Sequence, residues 1–132
     1  MFSYNLFLNK IFTKWRSYQM HREAQWAHTV NLVGQYLRVN RIEEYTIQMI
    51  IMQLMSGLGD PQFNIKTYRN SILARTDTGA LRHLERRKIN ESMVLIRGVL
   101  QRLAGNDEFT QNVMFILRQL LGNLDLIRLA LR

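Results

Sequence analysis

The feature that most constrains the fold is an apolar stretch near the C-terminus, residues 109–121, which reads FTQNVMFILRQLL. Residues 113–117 are apolar without interruption, and two further leucines follow after a pair of polar residues. A helix that is apolar on nearly every side cannot lie on a surface, because it has to bury several faces. The stretch therefore predicts a helix surrounded by neighbours, either from its own chain or from a second copy.

Composition favours helices over strands. The chain has 132 residues, which suits one domain with a substantial core, and 47% of them are apolar. It has one proline and 7 glycines, whereas an all-β fold needs turn residues at short intervals. We therefore predict an all-α fold, a compact bundle of five to seven helices in a single domain over residues 1–132, with a long or kinked amphipathic N-terminal helix at about 4–37.

Capping residues and glycines indicate where the helices begin and end. Asn40 is the expected N-cap of a helix at 42–56, which ends at Gly57. Asp60 and Pro61 are expected to open a helix at 61–75, because proline is tolerated in a first turn. The remaining signals are a turn at 76–79, a helix at 80–104 with a break possible at Ile89-Asn90, an N-cap at Asn106, and an interruption of the last helix at Gly122.

The N-terminal segment, residues 1–22, is basic and carries aromatic residues at helical spacing. Such a helix can pack on its own domain, dock in the groove of a partner, lie on a membrane surface or act as a transit peptide. Packing on its own domain is the default, because a helix of a single-domain protein usually buries such a stripe against the rest of that domain. The side chains expected to dock are Phe7, Ile11, Phe12, Trp15 and Tyr18.

The last helix carries a second stripe, which resembles a short coiled-coil seam. Its members are three or four residues apart, so they lie along one line of the helix. We predict that this stripe contributes to the core and to a contact between copies, which makes the protein a homo-oligomer. Its residues are Phe109, Val113, Ile116, Leu120, Leu124 and Ile127.

The charge of the chain is strongly basic and uneven. The net charge is +8, and residues 66–102 carry most of the excess. Arginine predominates, and its planar fork suits carboxylate and phosphate. A solvated face is the plain interpretation, but the excess also predicts an anion-binding face for an acidic protein or a nucleic acid. The expected anion- or partner-binding residues are Lys66, Arg69, Arg75, Arg82, Arg86, Arg87 and Lys88.

The sequence offers little for catalysis. There are no cysteines, which excludes disulfides and thiol chemistry. His21 and His28 are seven residues apart, but no third ligand completes a metal site at ligand spacing. The chain also has no phosphate-binding glycine loop and no hydrolase or metalloprotease motif. We therefore predict no catalytic residues, cofactor, metal or small-molecule substrate.

These observations favour a non-enzymatic interaction or assembly protein that self-associates and engages an acidic partner through the arginine-rich face. Nucleic-acid binding by the same face is the first alternative, and membrane-surface attachment through the N-terminal helix is the second. No apolar run approaches the roughly 20 residues that span a bilayer, so a soluble, intracellular protein is favoured. A small structural or accessory protein of a virus or mobile element would fit this description.

Overall fold

The computed structural model of the chain describes the backbone of residues 4–60 and 62–132 and the side chains of residues 22–60 and 62–132. Within these ranges the protein is all-helical and contains no strand, which confirms the predicted fold class. The helices in chain order are α1 (Tyr4–Val39), α2 (Glu44–Met55), α3 (Ile65–Arg75), α4 (Gly79–Arg102) and α5 (Glu108–Ala130).

One core joins the helices. α1 packs on α2 and α4 packs on α5, while α2 also contacts α4 and α3 contacts α5. Each helix contributes the apolar positions that recur every three or four residues, because these share one face of a helix. Among the described side chains the largest contribution comes from α5, whose buried apolar residues are Val113, Leu117, Leu120, Leu124 and Ile127.

The predicted N-cap of α2, Asn40, is wrong. Asn40 does not cap α2; its Nδ2 donates to the Tyr36 carbonyl oxygen at 2.9 Å and so closes the last turn of α1. Arg41 then adopts a positive φ of 60°, which turns the chain towards α2. The N-cap position of α2 is Glu43, which makes no side-chain capping bond.

The expected helix start at Asp60 and Pro61 is also wrong. Asp60 Oδ1 accepts from the backbone N–H of Gln62 at 3.0 Å, which forms a short turn. α3 begins only at Ile65, where the side chain of Asn64 accepts from the Thr67 N–H at 3.1 Å. Asparagine satisfies the N-cap requirement as well as aspartate does, so composition alone did not select between the two positions.

The later boundaries are closer to expectation. Thr78 caps α4 by accepting from the Leu81 N–H at 3.2 Å, and it lies in the stretch 76–79 where a turn was predicted. α4 continues through Ile89, where a break was possible. α5 is capped by Asp107 and not by Asn106, and it runs through Gly122 without the expected interruption.

Two hydrogen-bonded contacts fix α1 on the rest of the core. Trp26 Nε1 donates to the Leu54 carbonyl oxygen at 2.7 Å, which ties α1 to the end of α2. The Tyr36 hydroxyl lies 2.6 Å from Thr110 Oγ1, which in turn lies 2.7 Å from Asp107 Oδ1. Because an ionised carboxylate only accepts, Thr110 donates to Asp107 and Tyr36 donates to Thr110. This chain connects α1 to the N-terminus of α5.

The cap at Asp107 makes stability depend on pH. Hydrogen bonds from the Thr110 backbone N–H and hydroxyl hold the pKa of the Asp107 carboxyl below its usual value. A carboxyl with a lowered pKa in the folded state stabilises above its unfolded pKa, and this contribution is lost as pH falls through the folded pKa.

We therefore expect wild type to melt at a higher temperature than Asp107→Asn at about pH 6, and we expect the difference to shrink below about pH 4. Asparagine keeps one capping oxygen but loses both the charge and the second acceptor that Thr110 uses. The pH dependence of the difference, and not its size, therefore reports the titration of the carboxyl. Thermal melts followed by circular dichroism would measure the difference. A gap that is the same at acidic and neutral pH would contradict this account.

Candidate anion-binding cleft

A cleft of about 540 Å³ lies between the N-terminal half of α4 and the C-terminal end of α5. Six of its lining residues belong to one side of α4, and the other two close the cleft from the C-terminal end of α5. The α4 residues are His83, Arg86, Arg87, Asn90, Glu91 and Val94, and the other two are Arg128 of α5 and Arg132, which lies two residues beyond that helix.

The helix pairing explains why these residues meet. α4 and α5 pack together as a hairpin, so the start of α4 lies beside the end of α5. Arg128 links the two helices, because its Nη1 donates to Asn90 Oδ1 of α4 at 3.3 Å. Its Nη2 donates to the carboxylate of Asp125, one turn earlier in α5. A guanidinium at the C-terminus of α5 is also favoured by the negative end of that helix.

The cleft has an excess of positive charge. Its lining contains four guanidinium groups and one carboxylate. Arg87 lies 3.6 Å from that carboxylate, Glu91, but both side chains are mostly exposed, and a pair of this kind contributes little stability. Arg86 and Arg132 have no ion-pair or hydrogen-bond partner among the side chains that the structure describes.

Chemically, the cleft can bind an anion. Arginines grouped in this way repel one another, so a bound counter-anion lowers their electrostatic energy. Each guanidinium presents several N–H donors in a fixed fork, which matches two oxygens of a carboxylate or phosphate. Asn90 uses its Oδ1 for Arg128, which leaves its amide N–H groups as further donors. The site therefore combines charge with directional donors.

The structure does not bring the predicted arginine-rich set together. Of its seven residues, only Arg86 and Arg87 line the cleft. Arg82 Nε donates to the Thr76 carbonyl oxygen at 2.9 Å and supports the turn between α3 and α4. Arg75 lies 3.6 Å from Glu85. Lys66, Arg69 and Lys88 do not line the cleft, and Lys88 lies at a different small depression of α4.

Sequence reasoning missed two basic residues of the cleft, Arg128 and Arg132. Residues 103–132 have no net charge, so a sum of charges over that segment does not single these arginines out. The two arginines stand four residues apart, Arg128 in the last turn of α5 and Arg132 two residues beyond the end of that helix. This spacing was the sign in the sequence that the two arginines belong together, but it did not indicate that α4 lies beside them.

The predicted seam along α5 has to be corrected. Val113, Leu120, Leu124 and Ile127 are at most 2% exposed and pack in the chain's own core, so they are not available to a second copy. Ile116 is partly buried against the same core. Phe109 is 42% exposed, and its ring makes an edge contact with Tyr36 at 5.3 Å between centroids. The outer face of α5 carries different apolar residues.

The predicted docking residues of the N-terminal segment, Phe7, Ile11, Phe12, Trp15 and Tyr18, lie outside the residues whose side chains the structure describes. The part of α1 that follows them borders a larger groove of about 730 Å³, between α1, α3 and the connection from α2. Its aromatic lining is engaged in packing: Trp26 bonds Leu54, and Phe63 meets Tyr68 at 5.4 Å between ring centroids.

Two further findings concern the described residues only. They contain no group of three histidine, aspartate or glutamate side chains that is placed to hold a metal ion. None of their helices combines the length and the apolar character needed to cross a bilayer.

No protein-family model, curated protein or solved structure matches the chain.

Proposed function

We propose that this protein is a non-enzymatic interaction protein that binds an acidic protein segment through the cleft between α4 and α5 and that self-associates. The observation that carries the proposal is the convergence of Arg86 and Arg87 with Arg128 and Arg132. Glu91 and Asp125 pair with only two of these four guanidinium groups, Arg87 and Arg128. Guanidinium groups stay protonated at all physiological pH values. They are therefore suited to holding an anion and unsuited to proton transfer.

The shape of the cleft favours an acidic peptide over a polynucleotide. It extends from His83 to Val94 on α4, which corresponds to about 17 Å of helix. A duplex presents phosphates along its whole length, so its binding would use a longer track of cations. Arg75 and Arg82, which would extend the track, are engaged with Glu85 and Thr76. Val94, 64% exposed at the edge of the cleft, offers an apolar contact that suits a peptide side chain.

The first test compares two double variants that remove the same charge. We expect Arg86→Ala with Arg132→Ala to weaken binding of a synthetic poly-glutamate peptide about 10- to 30-fold, since each arginine supplies roughly 1 kcal/mol in a solvated site. Lys66→Ala with Lys88→Ala leaves the cleft intact, so it should change the affinity for the peptide less than about threefold. Fluorescence anisotropy of the labelled peptide would measure both.

The same titrations decide between the two kinds of partner. A generic DNA duplex is the second probe, and its affinity is measured between roughly 50 and 200 mM salt. If the duplex binds more tightly than the peptide, and the cleft variant reduces the dependence on salt, the partner is a nucleic acid. Equal losses in the two double variants would mean that net charge and not the cleft governs binding, and the proposal would fail.

A further inference from the structure

The outer face of α5 is apolar but has no partner among the residues whose side chains the structure describes. Phe115 and Leu126 are each 52% exposed, and Leu129 is 42% exposed. At 100° per residue these three side chains and Gly122 fall within an arc of about 60°. The face lies roughly opposite the buried stripe of α5, so the chain's own core does not use it.

Gly122 is the least expected residue on this face. A glycine inside a helix costs about 1 kcal/mol relative to alanine. A Cβ built at Gly122 meets no described atom within 4 Å, so packing among the described residues does not require a glycine there. The residue instead lies in a shallow depression of about 410 Å³ that is lined by Phe115, Arg118, Gln119, Asn123 and Leu126.

The face is symmetrical about Gly122. Phe115 precedes it by seven residues and Leu129 follows it by seven, while Arg118 precedes it by four and Leu126 follows it by four. In an antiparallel pair of identical helices with a two-fold axis at Gly122, each residue faces its mirror position in the second copy. Phe115 then meets Leu129, and the two glycines let the backbones approach closely.

Charge selects the antiparallel arrangement over the parallel one. In a parallel pair, the exposed Arg118 side chains of the two copies would lie together and repel. In the antiparallel pair, Arg118 lies opposite Leu126 and next to Asp125 of the second copy. Asp125 already accepts from Arg128, so Arg118 would join an existing ion pair and would also cover an apolar neighbour with its stem.

We propose that two copies of the chain pair through the outer face of α5, antiparallel, with Gly122 on the two-fold axis. This inference rests on the self-association in the proposed function and gives it a defined interface. Three apolar side chains per copy form a smaller contact than obligate dimers bury, so the dimer is reversible. The two-fold keeps both arginine-lined clefts on the same side of the helix pair, with their Arg128 residues about 18 Å apart along the helix axis.

Sedimentation velocity over a range of concentrations tests the face. Leu126→Glu should raise the dimer dissociation constant at least tenfold, whereas Met52→Glu should leave it unchanged. Both replaced side chains are exposed, at 52% and 71%, so neither change should disturb the core. If Leu126→Glu dimerises as wild type does, the proposed interface is overturned while self-association stands. A wild type that stays monomeric at every concentration overturns both, and peptide binding by the cleft is then judged separately.

Cysteine crosslinking tests the direction, because the natural chain has no cysteine. A mixture of Phe115→Cys and Leu129→Cys copies should give a mixed disulfide dimer on mild oxidation, since these positions face each other in the antiparallel pair. Each variant alone should crosslink far less. Preferential crosslinking of Phe115→Cys with itself would indicate parallel pairing and would overturn the proposal.

Discussion

Replacing Leu117 by alanine will lower the free energy of unfolding by about 2–5 kcal/mol, the cost of removing a large side chain from a packed core. Leu117 is 0% exposed and lies on the buried stripe of α5, between Val113 and Leu120. The cavity left behind cannot close easily, because α5 is held at its N-terminus by Asp107 and along its length by α4. This is a large fraction of the stability of a domain of this size.

Leu126 on the same helix provides the matched control. It is 52% exposed, so Leu126→Ala should change the free energy of unfolding by no more than about 0.5 kcal/mol. Urea titrations followed by circular dichroism, at a protein concentration low enough to keep the chain monomeric, would measure both variants. Equal losses in the two variants would show that α5 is not oriented as described.

This pair of leucines also shows what the sequence could not decide. α5 is apolar on two faces, and both faces repeat at helical spacing. The predicted seam shared Val113, Leu120, Leu124 and Ile127 with the buried stripe, because local periodicity identifies a line of residues and not the neighbour that covers it. The neighbour is α4, and its position depends on the packing of the whole bundle.

The sequence located some helix boundaries without selecting the residue that caps the helix. The turn predicted at 76–79 contains the cap of α4, Thr78, but Thr76 and Asp77 in the same stretch are also of a type that caps helices. At Asn106 and Asp107 two good caps are adjacent, and the carboxylate is the one that accepts from Thr110. Thr110 can also donate its hydroxyl to a carboxylate and accept from Tyr36, a residue of another helix. The choice was therefore made by tertiary contact.

Only the α4 arginines of the cleft could be predicted, because charge was summed over whole segments of the sequence. Residues 103–132 sum to zero, yet Asp107 and Glu108 stand at the start of α5 while Arg128 and Arg132 stand at its end. An average over the segment hid this separation. Because α4 runs back along α5, the basic end of α5 meets the basic start of α4, and the acidic end lies far from it.

Reversing the two unpaired charges of the cleft gives the largest expected effect on binding. Arg86→Glu combined with Arg132→Glu should weaken binding of the poly-glutamate peptide at least about 100-fold, roughly tenfold for each residue, because attraction is replaced by repulsion. Neither side chain has a described partner to lose, so thermal stability should stay close to that of wild type.

The charge reversal should also create affinity for a basic peptide, which a variant that had only lost its structure would not show. The lining would change from four guanidiniums and one carboxylate to two and three, so the variant should acquire measurable affinity for a poly-lysine peptide. Lys66→Glu with Lys88→Glu alters the net charge of the chain equally but leaves the cleft lining untouched, and it should keep the peptide preference of wild type. If this control also loses affinity for poly-glutamate and gains affinity for poly-lysine, binding follows the total charge of the chain. Because wild type carries a net charge of +8, only a difference between the two reversals can assign recognition to the cleft.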